Sequence, residues 1–494
     1  MQNSQKEELG ITVKKEDNFS EWYTQVIQKA DLADIRFGIQ GFIVHKPHGF
    51  FIIKKIYEYL EQELESQDHL QFLFPIAVKE ENLRKEKEHA DFTPNVFWVS
   101  EAGTNKLEEK FALRPTGEAQ IYPLYALWFR SHKDLPFKGY QSRISAFRNE
   151  MTTRPFLRGR EFLFLETHNV FNTHEEALKQ IEQDLKTCKK VIYDKIKIPF
   201  LYFKRPQWDK FKGADNSYAP DTLMPDGKKN QLASTHDLGQ NFSKAFNIKI
   251  VGKDEKERPA WQTCFGPGIW RIMAALISIH GNDKGLIIPF DMSPIQIVIV
   301  PITFTKKPEG SKKILERCYS LESKLKKLCY RTKFDNSDAS PGFKYNKWDL
   351  YGVPIRIELG PNELKKNAIT ITLRTQYRKK TIKLSNIEKE IKKYTIKLDQ
   401  EIKERADKYF KNKTRNASSL KDLKDLIKKY KGFIKVPFCS IEKDGENCAN
   451  ILKAETTCDV SGTLYPKEEK PKNNPKCIIC NQTAKHIVYV AKSY

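Results

Sequence analysis

From Gly49 to Ser66 the sequence GFFIIKKIYEYLEQELES sets Ile53, Ile56, Tyr57, Leu60 and Leu64 at helical spacing, which predicts an amphipathic helix. QFLFPIAV follows as a strand interrupted by Pro75, and a proline inside a strand belongs at an edge or an interface. Between Phe111 and His168 the runs FALRPTGE, ISAFRNE and GREFLFLETH alternate with turns, a rhythm that suits antiparallel strands. EEALKQIEQDLKTCKKVIYDK (175–195) reads as a second amphipathic helix. Gly268 to His280 begins a third, and its continuous apolar run predicts burial. The first 290 residues are therefore expected to form a mixed antiparallel sheet flanked by helices.

Beyond residue 290 the pattern changes. Pro294 to Pro301 is a β-branched run followed by a helix near 311–330 and strands near 353–359 and 368–374, which predicts an α/β domain with a largely parallel sheet over 291–385. Residues 386–433 are Lys/Glu-rich with a helical pattern and read as a connector. The cysteine-bearing stretch 434–494 reads as a small separate α+β unit. The whole is an α/β multidomain chain of 494 residues, long enough for several cores. No run of about 18 apolar residues is present. The N-terminus MQNSQKEE has neither an apolar signal core nor an Arg-rich transit character, so a soluble cytoplasmic protein that does not enter a membrane is expected.

Charge separates the two halves. Residues 1–290 carry 42 Lys+Arg against 39 Asp+Glu, and residues 291–494 carry 44 against 24, so nearly all of the +23 net charge lies in the second part. Such a region is a candidate polyanion binder, with Lys-rich solvated helices as the bland alternative. Five of the nine cysteines fall between Cys439 and Cys480, far too few for a secreted disulfide framework and clustered as a metal site would be.

Three patches in the first part carry candidate chemistry: the helix and strand ending at Pro75; Phe147-Arg148-Asn149-Glu150 with Arg158-Gly159-Arg160-Glu161-Phe162; and Gly266-Pro267-Gly268-Ile269-Trp270-Arg271. An arginine on a strand holds an α-phosphate bidentately, and a second at a helix start holds the far end of a triphosphate, so Arg148 and Arg271 form a candidate clamp for ATP. In their order these patches resemble motifs 1, 2 and 3 of the class II aminoacyl-tRNA synthetases. Within that class the chain resembles the prolyl-tRNA synthetases of the type shared by archaea, eukaryotes and some bacteria. The matching words are Leu113-Arg-Pro-Thr-Gly-Glu118, Arg154-Pro-Phe-Leu-Arg-Gly-Arg-Glu-Phe162, Leu238-Gly-Gln-Asn-Phe-Ser243 and Gly352-Val-Pro-Ile-Arg-Ile-Glu-Leu-Gly-Pro361.

The resemblance implies a fold, an activity and a site. It implies a class II antiparallel sheet, an α/β anticodon-binding domain and a C-terminal zinc-binding-like domain. It implies activation of L-proline with ATP and Mg²⁺, transfer to tRNA(Pro), and a homodimer formed through the motif 1 surface. For proline it implies Thr116 and Glu118 on the amine, with Arg148, Phe164, His168 and His236 completing the pocket. For ATP it implies Arg148 on the α-phosphate, Glu150 and Phe162 on the adenine side, Gln231 and Ser234 on the nucleotide, and Arg158 and Arg271 toward the phosphates. Relatives usually carry Trp where this chain has Phe164, and Gly-Gly-Thr-Ser-His where it has Leu232-Ala-Ser-Thr-His236.

In the basic half the resemblance places Asp349, Arg356, Asn362 and Glu363 at positions that read anticodon guanines, where carboxylates accept N1–H and N2–H₂ and arginine suits O6 and N7. Cys439, Cys448, Cys477 and Cys480 form two pairs that suit a structural, tetrahedral Zn²⁺, with Cys458 as the alternate to Cys448. Only 103 residues separate Phe162 from Gly266, too few for the large editing insertion of many bacterial relatives, so no editing domain in the same chain is expected.

Overall fold

The structure, a computed structural model, describes residues 10–90, 95–303 and 308–494; the N-terminal stretch from Met1 lies outside them. Its centre is one large sheet. From one edge to the other its strands are Thr414–Asn416, Phe433–Phe438, His486–Ala491, Asp459–Leu464, Leu201–Lys204, Asn216–Leu223, Ala233–Gly239, Trp261–Pro267, Glu161–Phe171, Phe137–Phe147 and Leu70–Gln71. All neighbours are antiparallel except the outermost pair at each edge. The antiparallel arrangement expected for Phe111–His168 is present, and the expected helices run over Pro47–Glu65, His174–Cys188 and Ile269–His280.

Each helix forms for a reason legible in its residues. Pro47 occupies the first helical turn, where its missing N–H costs nothing. Thr173 and Glu176 cap the second helix reciprocally. That helix ends earlier than its sequence pattern, and Lys189–Lys195 continues as a π-helical turn. Ile53, Ile56, Leu60, Met273 and Leu276 pack with Leu165 and Phe265 into the main core on one face of the sheet. On the opposite face the helix Glu118–Trp128 builds a second core with Phe242, Leu238 and Cys264. Pro75 splits its expected strand: Leu70–Gln71 joins the large sheet and Ala77–Lys79 joins a three-stranded one with Trp98–Ala102 and Asn105–Leu113.

The second domain has strands in the order Thr332–Phe334, Ile297–Pro301, Ile355–Leu359, Ala368–Leu373 and Lys379–Lys383. The sequence pattern predicts a largely parallel sheet, and this is corrected: the first three strands are parallel and the last two run antiparallel to their neighbours. Only residues 360–367 join Ile355–Leu359 to Ala368–Leu373, too few for a crossover, so the chain must reverse. The expected connector is a 25-residue helix, Ile387–Lys411, whose Ile391, Tyr394, Leu398 and Ile402 close the core of this domain. The stretch 434–494, expected from its sequence to be a separate unit, is hydrogen-bonded into the large sheet through Thr463 opposite Lys204 and Leu464 opposite Phe203.

Candidate active site

Strand register gathers the expected residues on one face. His236 lies opposite Cys264, which lies opposite His168. Ser234 lies opposite Gly266, where a side chain would meet Ser234 Oγ and the ring of Phe164 at ordinary contact distance. Side chains alternate along a strand, so Phe162, Phe164, Glu166 and His168 share this face while Leu165 and Thr167 turn to the core.

One end of this face is closed and polar. Glu118, at the start of its helix, is 2% exposed, and Glu166 and His168 beside it are 1% and 0% exposed. A side chain at Gly117 would overlap the Glu166 carboxylate and the His168 ring, so glycine is what lets the Thr116–Glu118 turn approach the sheet. Tyr122 Oη lies 3.0 Å from His168 Nδ1, and Gln141 donates to Glu166 Oε1 at 3.3 Å. Glu118 Oε2 and Thr116 Oγ1 are buried and meet no hydrogen-bond partner among the described residues. Burial pushes the Glu118 carboxyl above its usual range; His168 pulls it down and Glu166 pushes it further up. His168 is lowered by burial, but Glu166 and Glu118 outweigh this and raise it. His236 is pushed down to about 3 by burial and by Arg205, so its ring is neutral, with Nδ1 2.8 Å from Ser217 Oγ.

The other end opens into a cavity of about 360 Å³ whose wall includes Arg148, Glu150, Arg158, Phe162, Phe164, Gln231 and Arg271. Ser234 stands just behind it at Gly266. Arg271 begins the helix whose start is fixed by Gly268 N donating to Leu232 O at 2.8 Å and Asn230 donating to the Arg271 carbonyl at 2.9 Å. Burial, then repulsion from Arg158 and Arg148, lowers the Arg271 guanidinium to about 10. Three cations facing one cavity form a trap for a polyanion. Phe162 and Phe164 meet edge to face at 5.8 Å, and the Arg148 guanidinium lies 5.9 Å from the centre of the Phe162 ring.

Several participants were missed from sequence. Glu166, Gln141 and Cys264 lie on motif-bearing strands but outside the motif words. Arg205, held by Asp221 at 2.7 and 2.8 Å and donating to Gln231 at 3.0 Å, fixes Gln231 at the cavity wall. Tyr494 returns from the far end of the chain to accept from Arg158 at 2.9 Å through its backbone oxygen and to donate its hydroxyl to Asp226 at 2.9 Å.

In the second domain, Asp349 and Arg356 are both buried and joined at 3.1 Å; Arg356 also reaches Glu358 at 3.4 Å and lies 4.1 Å over the Tyr345 ring. Asn362 is exposed. Glu363 is engaged elsewhere: one carboxylate oxygen accepts from Gly360 N at 3.1 Å, capping the helix Pro361–Lys365, and the other accepts from Thr370 at 2.9 Å. Glu358 and Lys379, paired at 2.6 Å beside Arg356, were not singled out from sequence. The thiols of Cys439, Cys448, Cys477 and Cys480 lie within 4.8 Å of one another. Cys439 and Cys448 come to 3.7 Å because the residues between them form the turn Lys443–Gly445 and return Cys448 on the first turn of the helix Glu446–Thr456. Cys458 is buried outside this cluster.

An antiparallel sheet with one arginine just past a strand end and another at a helix start, beside paired aromatics, is the platform of a class II aminoacyl-tRNA synthetase. The family tRNA synthetase class II core domain (G, H, P, S and T) matches residues 97–280, the anticodon binding domain residues 296–394, and the prolyl-tRNA synthetase C-terminal family residues 420–494. The proline–tRNA ligase of Thermofilum pendens is 47% identical over 99% of this chain and 100% of its own, and that of Methanococcoides burtonii is 39% identical over 99% of each. Among solved structures, Giardia lamblia prolyl-tRNA synthetase in complex with prolyl-adenylate superposes with a TM-score of 0.93 at 32% identity, covering 98% of this chain and 100% of that one. The Cryptosporidium parvum enzyme complexed with L-proline and AMP gives 0.90 at 29% identity, covering 100% and 99%. The chain belongs to the prolyl-tRNA synthetase family.

Proposed function

We propose that this chain is a proline–tRNA ligase that activates L-proline with ATP and transfers it to the 3′ end of tRNA(Pro). The observation that carries the reading is a buried carboxylate and hydroxyl whose Glu118 Oε2 and Thr116 Oγ1 lack a partner among the described residues, at the closed end of the sheet face whose other end opens into a cavity walled by three arginines. A secondary ammonium needs such acceptors and a triphosphate needs such cations. Proline sits with its amine on Glu118 and Thr116 and its ring among Phe164, His168 and the neutral His236. Its carboxylate attacks the α-phosphorus under Arg148, and pyrophosphate leaves toward Arg271 and Arg158. Glu150 and Phe162 hold the adenine side, with Gln231 and Ser234 on the nucleotide. The terminal hydroxyl of tRNA then attacks the carbonyl of the adenylate and AMP departs. Catalysis is positioning and charge neutralisation with no nucleophilic side chain.

Glu150 offers an oxygen donor on the cavity wall that suits a hard cation, and Mg²⁺ arriving with ATP would supply charge neutralisation across the phosphates. Four converging thiols make a closed donor set for a structural Zn²⁺. Asp349, Arg356, Asn362 and Glu363 are the proposed anticodon readers, and Glu363 also caps the helix Pro361–Lys365. The working division is catalytic (1–290), anticodon-binding (291–385), connector (386–433) and cysteine-bearing (434–494). Exposed Leu70, Leu73, Leu127 and Trp128 beside the sheet edge support a homodimer through that surface. No described helix is long and apolar enough to cross a membrane, and the proposed place of action is the cytoplasm.

The test is ATP–pyrophosphate exchange across the amino acids. Proline is expected to drive exchange far above threonine, and Arg148→Ala to abolish it while tRNA binding persists. Exchange driven equally by another amino acid refutes the assignment.

A further inference from the structure

We propose that the closed end of the site also binds a single soft divalent cation, Zn²⁺ or Cd²⁺, through Glu118, His168 and Cys264, and that this cation excludes the amino acid. The ligand atoms of these three residues lie within 4.8 Å of one another, as donors around one ion must. All three are buried, at 2%, 0% and 5% exposure. Two of the donors are orphans: Glu118 Oε2 and His168 Nε2 have no hydrogen-bond partner among the described residues. Glu166 Oε2 lies 3.2 Å from His168 Nε2, an ion-pair contact that a bound cation would replace.

The rest of the pocket matches a metal site. Tyr122 at 3.0 Å occupies His168 Nδ1, which orients the ring and leaves Nε2 facing the cluster, the usual duty of a partner behind a ligating histidine. Carboxylate, imidazole and thiolate together suit Zn²⁺ and Cd²⁺ and not Mg²⁺. On coordination Cys264 releases its proton to solvent, as does His168 Nε2 where it is protonated, so a carboxylate and a thiolate balance the two charges of the ion. Three protein ligands leave a fourth position open, unlike the closed Cys439 cluster, and the bound ion is exchangeable. The exclusion rests on the proposed function, because proline's ammonium and the cation claim the same Glu118 oxygen.

The experiment is titration of the full-length enzyme with Cd²⁺, read by thiolate-to-cadmium charge-transfer absorption in wild type and in Cys264→Ala; subtracting the two cancels the Cys439 cluster. The expected result is one additional equivalent in wild type, displaced by L-proline, with affinity at least tenfold weaker in the variant, since losing even an outer-shell partner costs about 10–100-fold. Zn²⁺ should raise the apparent KM for proline in exchange without changing kcat. Identical spectra, together with no proline-sensitive absorption in wild type alone, overturn the site, and that second reading stands even where the variant folds poorly. An extra equivalent that proline fails to displace keeps the cation site and refutes the exclusion and the amine role of Glu118.

Discussion

Replacing Glu118 by glutamine removes one negative charge from a sealed pocket and changes almost no volume. Two opposite effects follow. In the empty enzyme the carboxylate is a cost: it is buried, lacks a partner for Oε2 and faces Glu166. Glutamine leaves a polar group at the same place, so the gain comes from removing the buried charge alone, and Glu118→Gln is expected to raise unfolding stability by no more than the cost of a buried unsatisfied group, about 1–3 kcal/mol. The sign can be checked against pH. The Glu118 pKa is raised in the folded state, so above the ordinary carboxyl value of 4.5 the folded chain binds more protons than the unfolded one. Stability from this group therefore falls as pH rises from that value toward the raised folded pKa, and the glutamine variant loses that slope. With proline bound the same carboxylate is an asset, because hydrogen bonds to charged groups contribute about 1.5–3 kcal/mol. At 1.4 kcal/mol per factor of ten, kcat/KM for proline should fall roughly 10- to 150-fold. Urea unfolding of the ligand-free proteins and proline-dependent exchange measure the two sides. A variant that loses stability, or exchanges normally, refutes the amine-binding role.

Three further outcomes are expected. Arg356→Ala should weaken charging of tRNA(Pro) by about 1–3 kcal/mol, the worth of a bidentate base contact, with exchange nearly unchanged; equal losses in both assays would contradict the anticodon role. Purified protein should carry zinc near one equivalent, and a Cys477→Ser/Cys480→Ser double variant should lose it by metal analysis; retention of full stoichiometry would count against these ligands. Missing methylenes are worth only about 1–3 kcal/mol of discrimination, so alanyl-adenylate should form measurably and alanyl-tRNA(Pro) should accumulate when alanine replaces proline. Rapid deacylation of added alanyl-tRNA(Pro) by the enzyme would reveal a hydrolytic site elsewhere.

Local signals carried most of the helices and the motif-bearing strands. The spacing of Ile53, Ile56, Tyr57, Leu60 and Leu64 marks a helix because one face repeats every 3.6 residues, and all five are buried. Of the even-numbered set Phe162, Phe164, Glu166 and His168, three were named from the resemblance, while Glu166 was not and acquires meaning only from Glu118 across the fold. Glu363 carries a second signal: Gly360-Pro361-Asn362-Glu363 has a proline and a glutamate at capping positions, and its carboxylate serves the helix start. Pairings between distant segments, such as Thr463 with Lys204 or Tyr494 with Arg158, leave no periodicity to find.

The pairing of Thr463 with Lys204 also sets a clock for biogenesis. The strand Leu201–Lys204 leaves the ribosome with one side unpaired, and its neighbour Asp459–Leu464 is synthesised more than 250 residues later. At 5–20 residues per second that interval is roughly 10–50 s, during which an open sheet edge is a template for wrong partners. The segment that completes the sheet also brings Tyr494 to Arg158, so the nascent catalytic domain reaches its final form only when the end of this chain has been made.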